Sequence, residues 1–258
     1  MLDDDILGGD SLDVAIVGGG PAGQAAAMLL SGHGAQIAVF DEQARPGGQI
    51  LRQPPTGFRV PDWLPGRTYQ GLKRDLARFQ QSGVAWHGEH SVLGIQGGNP
   101  FTLTMSGPDG VRTVSARRVL IAGGCQDLAV PMPGWTLPGV MTVGGLQAFV
   151  KSQRIVPDGP IVLAGPHPLM LVLAEQLLRA GMPPTAVIFA QSQRRMLSLL
   201  ARAPMAALTG FGNLAAGAAA YRALRAAGVP VSFGDPLASL DGDTQVRRAH
   251  LASGRQFE

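Results

Sequence analysis

Three glycines near the N-terminus have a spacing that favours phosphate binding. Gly18, Gly20 and Gly23 form the pattern Gly-x-Gly-x-x-Gly between an apolar run and a helix-forming run. The first glycine permits a tight turn, the second lets the backbone approach a pyrophosphate, and the third lets the helix pack closely on the strand. Pro21 and Ala22 begin the helix, whose N-terminal N–H groups and dipole attract phosphate. The pattern predicts a site for an ADP-containing dinucleotide.

Two carboxylates follow the next apolar run, which covers residues 37–40. Asp41 lies 18 residues after Gly23, at a position where a carboxylate accepts hydrogen bonds from an adenosine ribose. Glu42 is the alternative acid, although a solvated neighbour is the simpler interpretation of this residue. A glycine turn that serves packing alone is the competing explanation of the motif, and the acid after the second strand argues against it.

The apolar pattern around these residues predicts an α/β fold with two Rossmann-like βαβ units. In each unit a strand leads through a turn into a helix and then into a second strand. The predicted segments are 13–17, 21–30 and 37–40 in the first unit, and 161–164, 168–180 and 186–190 in the second. Further predicted segments are a helix at 213–227 and strands at 229–233 and 245–251.

Between the two units the pattern changes to short strands. Residues 84–122 are broken by glycine-containing turns at 97–100 and 107–110, and apolar residues alternate with threonines after the first turn. This pattern is typical of an antiparallel meander, and a further buried strand is predicted at 119–122. An amphipathic helix is predicted before the meander at 67–82. We expect a first domain over 1–130, a connector and helix over 131–157, and a second domain over 158–258.

The second predicted phosphate loop departs from the glycine pattern. Gly165 is retained, but His167 and Met170 occupy the later glycine positions, where side chains obstruct the approach of backbone to a pyrophosphate. No acid follows the second strand at residues 190–191. The second unit is therefore predicted to use NADH or NADPH poorly.

Other candidate groups near this loop have simpler interpretations. His167 is a possible acid–base residue, but a loop histidine that caps the following helix is the favoured interpretation. Arg194 and Arg195 could meet a 2′-phosphate, but a solvated helix face is the favoured interpretation.

The composition excludes several classes of protein. Of 258 residues, 45% are hydrophobic and 15% charged, and no apolar run is long enough to span a bilayer. The basic residues are scattered rather than clustered, which argues against nucleic-acid binding. Residues 1–10 carry four Asp and no Lys or Arg, unlike a secretory signal. We expect a cytoplasmic protein without a transmembrane segment.

The cysteine and histidine content argues against metal and disulfide chemistry. Cys125 is the only cysteine of the 258 residues, so these residues can form neither a CxxC redox pair nor a cysteine-bound cluster among themselves. A buried apolar role is the simple interpretation of a single cysteine. The histidines are dispersed without metal-ligand spacing, and no metal site is predicted.

Three segments resemble one family. Residues 41–50 and 119–124 are similar to motifs of FAD-dependent oxidoreductases with two dinucleotide-binding domains, although Gly123 replaces the threonine of the second motif. Residues 133–142 resemble the alpha subunit of opine- and hydroxyproline-type dehydrogenases, and the related subunit of hydrogen cyanide synthase.

The resemblance implies the cofactor and the fold of each domain. It implies FAD in the first domain, which has the three-layer ββα arrangement, and an NAD(P)-binding-like second domain. It adds to the cofactor-binding residues Gly48, Gln49, Val92, Ala122, Gly123 and Gly124. It also implies that the backbone of residues 90–92 holds adenine, and the alternative is that these residues simply form the next strand. It assigns no catalytic residue.

The resemblance also implies a reaction class. We expect an FAD-dependent oxidoreductase subunit that takes electrons from a small amine, imino acid or opine and passes them through the flavin to another carrier, together with other dehydrogenase subunits. The alternative is a non-catalytic nucleotide-binding or structural subunit of such a complex.

Family members continue beyond this length, so we expect a truncated chain with weak FAD binding of its own. Phe233-Gly234-Asp235 superficially matches the family's Gly-Asp motif, but it is interpreted as an ordinary turn.

Overall fold

A computed structural model of the protein describes residues 11–53, 57, 67–153, 155–202, 205 and 210–258. The acidic N-terminal ten residues lie outside this described part. The chain divides into two compact units, Met1–Cys125 and Gln126–Glu258. The connector predicted for 131–157 belongs to the second unit. Which dinucleotide each unit binds stays a prediction.

The described part of the first unit contains a six-stranded sheet and two helices. Its elements are β1 (Leu12–Val17), α1 (Pro21–Ser31), β2 (Ile37–Phe40), α2 (Arg67–Gln81), β3 (Ala85–His87), β4 (Ser91–Gln96), β5 (Phe101–Gly107) and β6 (Gly110–Ile121). The strand order is β3-β2-β1-β6-β5-β4. β1, β2, β3 and the C-terminal part of β6 are parallel, whereas β4, β5 and the N-terminal part of β6 form an antiparallel meander.

The three layers of this unit follow from the burial of β2 on both faces. Ile37 and Val39 belong to a core with α1 and α2, in which Phe79 is also buried. Ala38 and Phe40 belong to a second core with the meander. Alternate residues of one strand thus contact the helices and the meander, and this confirms the predicted three-layer α/β fold.

Among its described residues, the second unit contains two three-stranded sheets. Its elements are α3 (Val143–Ala148), a π-helical turn (Phe149–Gln153), β7 (Val162–Gly165), α4 (Leu169–Arg179), β8 (Ala186–Phe189), α5 (Gln193–Arg202), α6 (Phe211–Ala226), β9 (Val231–Phe233), β10 (Leu237–Asp241), β11 (Arg248–Leu251) and β12 (Gln256–Phe257). β7, β8 and β9 form a parallel sheet, and β10, β11 and β12 an antiparallel one. Leu173 and Leu177 of α4 pack with Val187 and Phe189 of β8 in the core.

Three predicted strands differ from the observed ones by two or more residues at a boundary. The strand predicted as buried at 119–122 is the end of the 12-residue β6, and Ile121 in it is 72% exposed. The strand predicted at 229–233 begins two residues later, because the Val229 N–H donates to Leu224 O at the end of α6. The strand predicted at 245–251 begins at Arg248, because the Val246 N–H donates to Pro138 O instead of a neighbouring strand.

Candidate functional site

The first glycine of the loop lies where three strands end. Gly18 has φ +104°, a conformation that side chains disfavour, and its N–H donates to Phe40 O at 2.8 Å. A Cβ at this position would overlap the carbonyl of Ala122, which follows β6. The Ala122 N–H donates to Val17 O at 2.7 Å. The carboxyl ends of β1, β2 and β6 therefore meet at this turn.

Gly20 and Gly23 differ in what surrounds them. A Cβ at Gly23 would overlap the carbonyl oxygen of Gly18, so the helix start needs a glycine for packing. A Cβ at Gly20 would meet only the Cα of Gly48, at 3.8 Å, which is an ordinary contact. No described neighbour of Gly20 requires a glycine there, and the space beside it fits a bound group.

The loop offers backbone donors to that space. Within the described part of the chain, the N–H groups of Gly20, Ala22 and Gly23 have no acceptor. Pro21 is at the first position of α1, and no acidic residue lies in its first turn. Unpaired N–H groups at the positive end of a helix dipole suit a phosphate anion.

Asp41 is held beside the loop by two hydrogen bonds. Its Oδ2 accepts from the Gly19 N–H at 2.5 Å, and its Oδ1 accepts from the Gln43 N–H at 2.7 Å. A carboxylate has about four acceptor sites, so two remain for ribose hydroxyls. Glu42 is exposed, and its Oε1 accepts from the Gln43 side-chain amide at 3.3 Å. Asp41 as the ribose acceptor, with Glu42 as the alternative, stays a prediction.

Sequence reasoning missed three residues that position Gly19. The Gln24 side chain is 2% exposed and donates from Nε2 to Gly19 O at 2.8 Å. The Gly47 N–H donates to the same oxygen at 2.9 Å. The ring of Trp86 occupies the space that a side chain on Gly19 would need. A polar residue among the alanines of α1 is a usable signal for Gln24, whereas nothing local indicates Trp86.

Gly48 and Gln49 follow this turn. Gly48 has φ +60°, and a Cβ there would lie 2.8 Å from the Cα of Gly20. The structure thus brings Gly48 to the open side of the glycine loop. Gln49 is exposed, and its Oε1 accepts from Arg52 Nη2 at 3.1 Å.

The segment predicted to hold adenine begins beside Asp41. The His90 N–H donates to Asp41 O at 2.9 Å. Val92 is half-buried, pairs with Met105 and packs its side chain against the core under the meander. The contact of its backbone with adenine stays a prediction.

His87 lies in the same corner, at the end of β3. Its ring stacks on Phe40 with centroids 5.0 Å apart and meets His90 edge-on at 5.8 Å. Its Nε2 is buried and has no hydrogen-bond partner in the described structure. Burial, and next the neighbouring His90, lower the pKa of His87. A neutral imidazole is therefore favoured here.

Gly123 and Gly124 follow β6, the third of the strands that end at the glycine loop. Both residues are exposed, and Gly124 has φ +72°. A Cβ at either position would meet nothing within 4 Å. Cys125 comes next and is exposed, so the simple interpretation of a buried cysteine is wrong.

The second predicted loop is built differently. Met170 is 1% exposed, and its sulfur lies 3.4 Å from the place where a Cβ on Gly165 would be. His167 Nδ1 accepts from the Leu169 N–H at 3.1 Å, which confirms its role in capping α4. Arg194 and Arg195 are exposed on α5, as the solvated-face interpretation predicts.

The Gly-Asp pair after β9 is a turn, as predicted. Gly234 has φ +78°, and its N–H donates to Phe189 O at 2.8 Å. The Asp235 carboxylate accepts from the Ser253 N–H at 3.0 Å and from its hydroxyl at 2.6 Å. These bonds tie Asp235 to the antiparallel sheet of its own unit.

Among the described residues, no group of three or more His, Cys, Asp or Glu side chains could hold a metal ion. None of the helices in the described part of the chain has both the length and the apolar character needed to cross a bilayer.

The chain resembles proteins of known name along most of its length. It is 37% identical to an opine oxidase subunit of Rhizobium meliloti (strain 1021), over 85% of this chain and 48% of that protein. It is 33% identical to hydrogen cyanide synthase subunit HcnB of Pseudomonas aeruginosa, over 94% of this chain and 51% of that protein. The chain thus spans about half the length of these relatives.

The fold has a counterpart among solved structures. L-proline dehydrogenase from P. horikoshii superposes with a TM-score of 0.63 at 19% identity, over 96% of this chain and 40% of that one. Residues 12–258 match the pyridine nucleotide-disulphide oxidoreductase family. The match covers nearly the whole chain, and the chain belongs to this oxidoreductase family.

Proposed function

We propose that this chain is the FAD-binding part of an oxidoreductase subunit. The observation that carries the proposal is the arrangement at the end of β1: unpaired N–H groups, an unfilled space at Gly20, and Asp41 fixed beside them. This arrangement fits an ADP moiety, and the family supplies the link to redox chemistry.

The residues of the loop would bind and orient the cofactor. The N–H groups of Gly20, Ala22 and Gly23 would donate to the pyrophosphate, and the Asp41 carboxylate would accept from the adenosine ribose. Gly48, Ala122, Gly123 and Gly124 would line the path of the rest of the cofactor. When bound, FAD supplies hydride and electron transfer.

The substrate we propose is a small amine, imino acid or opine. The support is the names of the relatives, which are subunits of an opine oxidase and of a hydrogen cyanide synthase. Because both relatives are named as subunits, we also propose that this chain acts with other dehydrogenase subunits. The electrons would then leave for a carrier other than a nicotinamide.

The second unit is proposed to be a poor nicotinamide site. Met170 is buried where the loop would need a glycine, and Pro168 has no N–H to offer at the start of α4. The Leu169 N–H, a further phosphate donor, is already bonded to His167. To bind at this loop, a pyrophosphate would have to displace the Met170 side chain and replace His167 as the acceptor of the Leu169 N–H.

Flavin reduction tests the proposal. The FAD-loaded protein, with its co-purifying subunits, is mixed anaerobically with an amine, an imino acid or an opine, and separately with NADH and NADPH. We expect loss of the flavin absorbance with one of the substrates and slow or absent loss with the nicotinamides. Rapid stoichiometric reduction by NADH or NADPH would contradict the proposal, and flavin that no substrate reduces would favour the non-catalytic subunit.

A further inference from the structure

Gln24 is a buried polar residue in a part of α1 that is otherwise small and apolar. Its side chain is 2% exposed, and the next three residues of the helix are alanines. A buried carboxamide costs free energy unless its hydrogen bonds are made, and an apolar side chain would fill the same space without that cost. The Gln24 Nε2 group donates to Gly19 O at 2.8 Å. This bond to the glycine loop offsets the cost of burying the side chain.

Two consecutive carbonyl groups of the loop are bound by Gln24. Its side chain binds Gly19 O, and its backbone N–H donates to Gly20 O at 3.0 Å. Gly19 O also accepts from the Gly47 N–H at 2.9 Å, so both acceptor sites of this oxygen are used. The peptide group between Gly19 and Gly20 therefore cannot rotate without the loss of two hydrogen bonds.

The orientation of that peptide group fixes the direction of the Gly20 N–H. In a planar trans peptide, the C=O group and the N–H group that follows it point in opposite directions. Because Gly19 O points toward Gln24 and Gly47, the Gly20 N–H points away from both residues. This N–H has no acceptor within the described part of the chain. The donor is thus fixed in direction and left unpaired.

We propose that Gln24 is a positioning residue that holds the Gly20 N–H toward the pyrophosphate and so favours ligands that carry one. This role rests on the proposed function, in which that N–H donates to phosphate. Asp41 is held by other bonds, since its carboxylate accepts from the N–H groups of Gly19 and Gln43. Loss of the Gln24 amide should therefore weaken the contact with the pyrophosphate and spare the contact with the ribose.

Gln24→Met is the test variant, because methionine is similar in size and has no N–H to donate. Calorimetric titration with ADP and NMR titration with adenosine measure the two affinities. ADP should bind to Gln24→Met about threefold to tenfold more weakly than to the wild-type chain, the range expected for one hydrogen bond. Adenosine, which lacks the pyrophosphate, should bind to both proteins equally. Gln24→Leu, a second variant without a donor, should behave in the same way.

Gln147→Met is the matched control, because Gln147 is also a buried helical glutamine, 7% exposed, but lies in the second unit. It should leave both affinities unchanged. Equal binding of ADP to the wild-type chain and to both Gln24 variants would overturn the role of Gln24 and leave the proposed function intact. A similar loss of affinity for ADP and for adenosine would also overturn it, because it would show that Gln24 only stabilises the loop. Absence of ADP binding by the wild-type chain would overturn the proposed function as well.

Discussion

At the carboxyl end of β1, Gly18 and Gly23 each have a carbonyl group where a side chain would lie, whereas a Cβ at Gly20 would make only an ordinary contact with the Cα of Gly48, at 3.8 Å. A Cβ at Gly18 or Gly23 would strain the protein itself. A Cβ at Gly20 would be tolerated by the protein and would crowd a bound group. Substitutions at these positions therefore separate the folding role of the motif from its binding role.

His87 makes the stability of the first unit depend on pH. Burial, and next His90, lower the pKa of His87 below its ordinary value of 6.5. His87 is therefore protonated more readily in the unfolded chain than in the folded chain. Its contribution to the free energy of unfolding is present above pH 6.5 and is lost as the pH falls below that value.

We expect the free energy of unfolding to fall between about pH 7 and about pH 5, and to fall less steeply in His87→Phe, which keeps a ring against Phe40. Urea titrations of both proteins at each pH measure the two slopes. Equal slopes would show that His87 does not carry the effect.

The capping of α4 by His167 can be tested by substitution. His167 Nδ1 accepts from the Leu169 N–H, so His167→Ala should destabilise the chain by about 0.5–1 kcal/mol through loss of a capping bond. His167→Asn keeps an acceptor and should lose less. Urea denaturation measures both values. Loss of substrate-dependent flavin reduction in a stably folded His167→Ala would instead identify a catalytic role.

Elements with local signals were predicted, and those held by distant pairing were not. The unit from β1 to β2 follows from apolar runs, three glycines and Pro21, all within one short segment. β12 has two residues and exists because Ala249 and His250 pair with it. The π-helical turn Phe149–Gln153 is a single turn, which is too short to show a repeating spacing of apolar residues in the sequence.

The same distinction applies to the site. Gly18, Gly20, Gly23 and Asp41 were predicted because their spacing within one βαβ unit carries the signal. Trp86 reaches Gly19 only through the pairing of β3 with β2, far along the chain. The position of such a side chain depends on the assembled sheet.

At the scale of the whole molecule, the chain exposes large apolar side chains. Leu128 is 86% exposed and Ile121 is 72% exposed, and only 15% of the residues are charged. Exposed apolar surface favours association, in agreement with relatives that are named as subunits.

We therefore expect purification of the tagged chain from its native source to recover a different subunit in stoichiometric amount. Mass spectrometry of the size-exclusion peak measures the composition. A monodisperse monomer with full oxidoreductase activity would contradict the expectation.

We expect the loop from Gly18 to Gly23, with Asp41, to bind an ADP moiety. Calorimetric titration of the chain with ADP measures this binding, because ADP contains the pyrophosphate and the ribose that these groups would contact. Gly20→Ala is the test variant, and Gly71→Ala on α2, where a Cβ meets nothing within 4 Å, is the control.

We expect one ADP to bind saturably to the wild-type chain and to Gly71→Ala. Binding to Gly20→Ala should be weaker by about tenfold or more, with no loss of thermal stability. Equal affinity of Gly20→Ala, or absence of ADP binding by the folded wild-type chain, would contradict it.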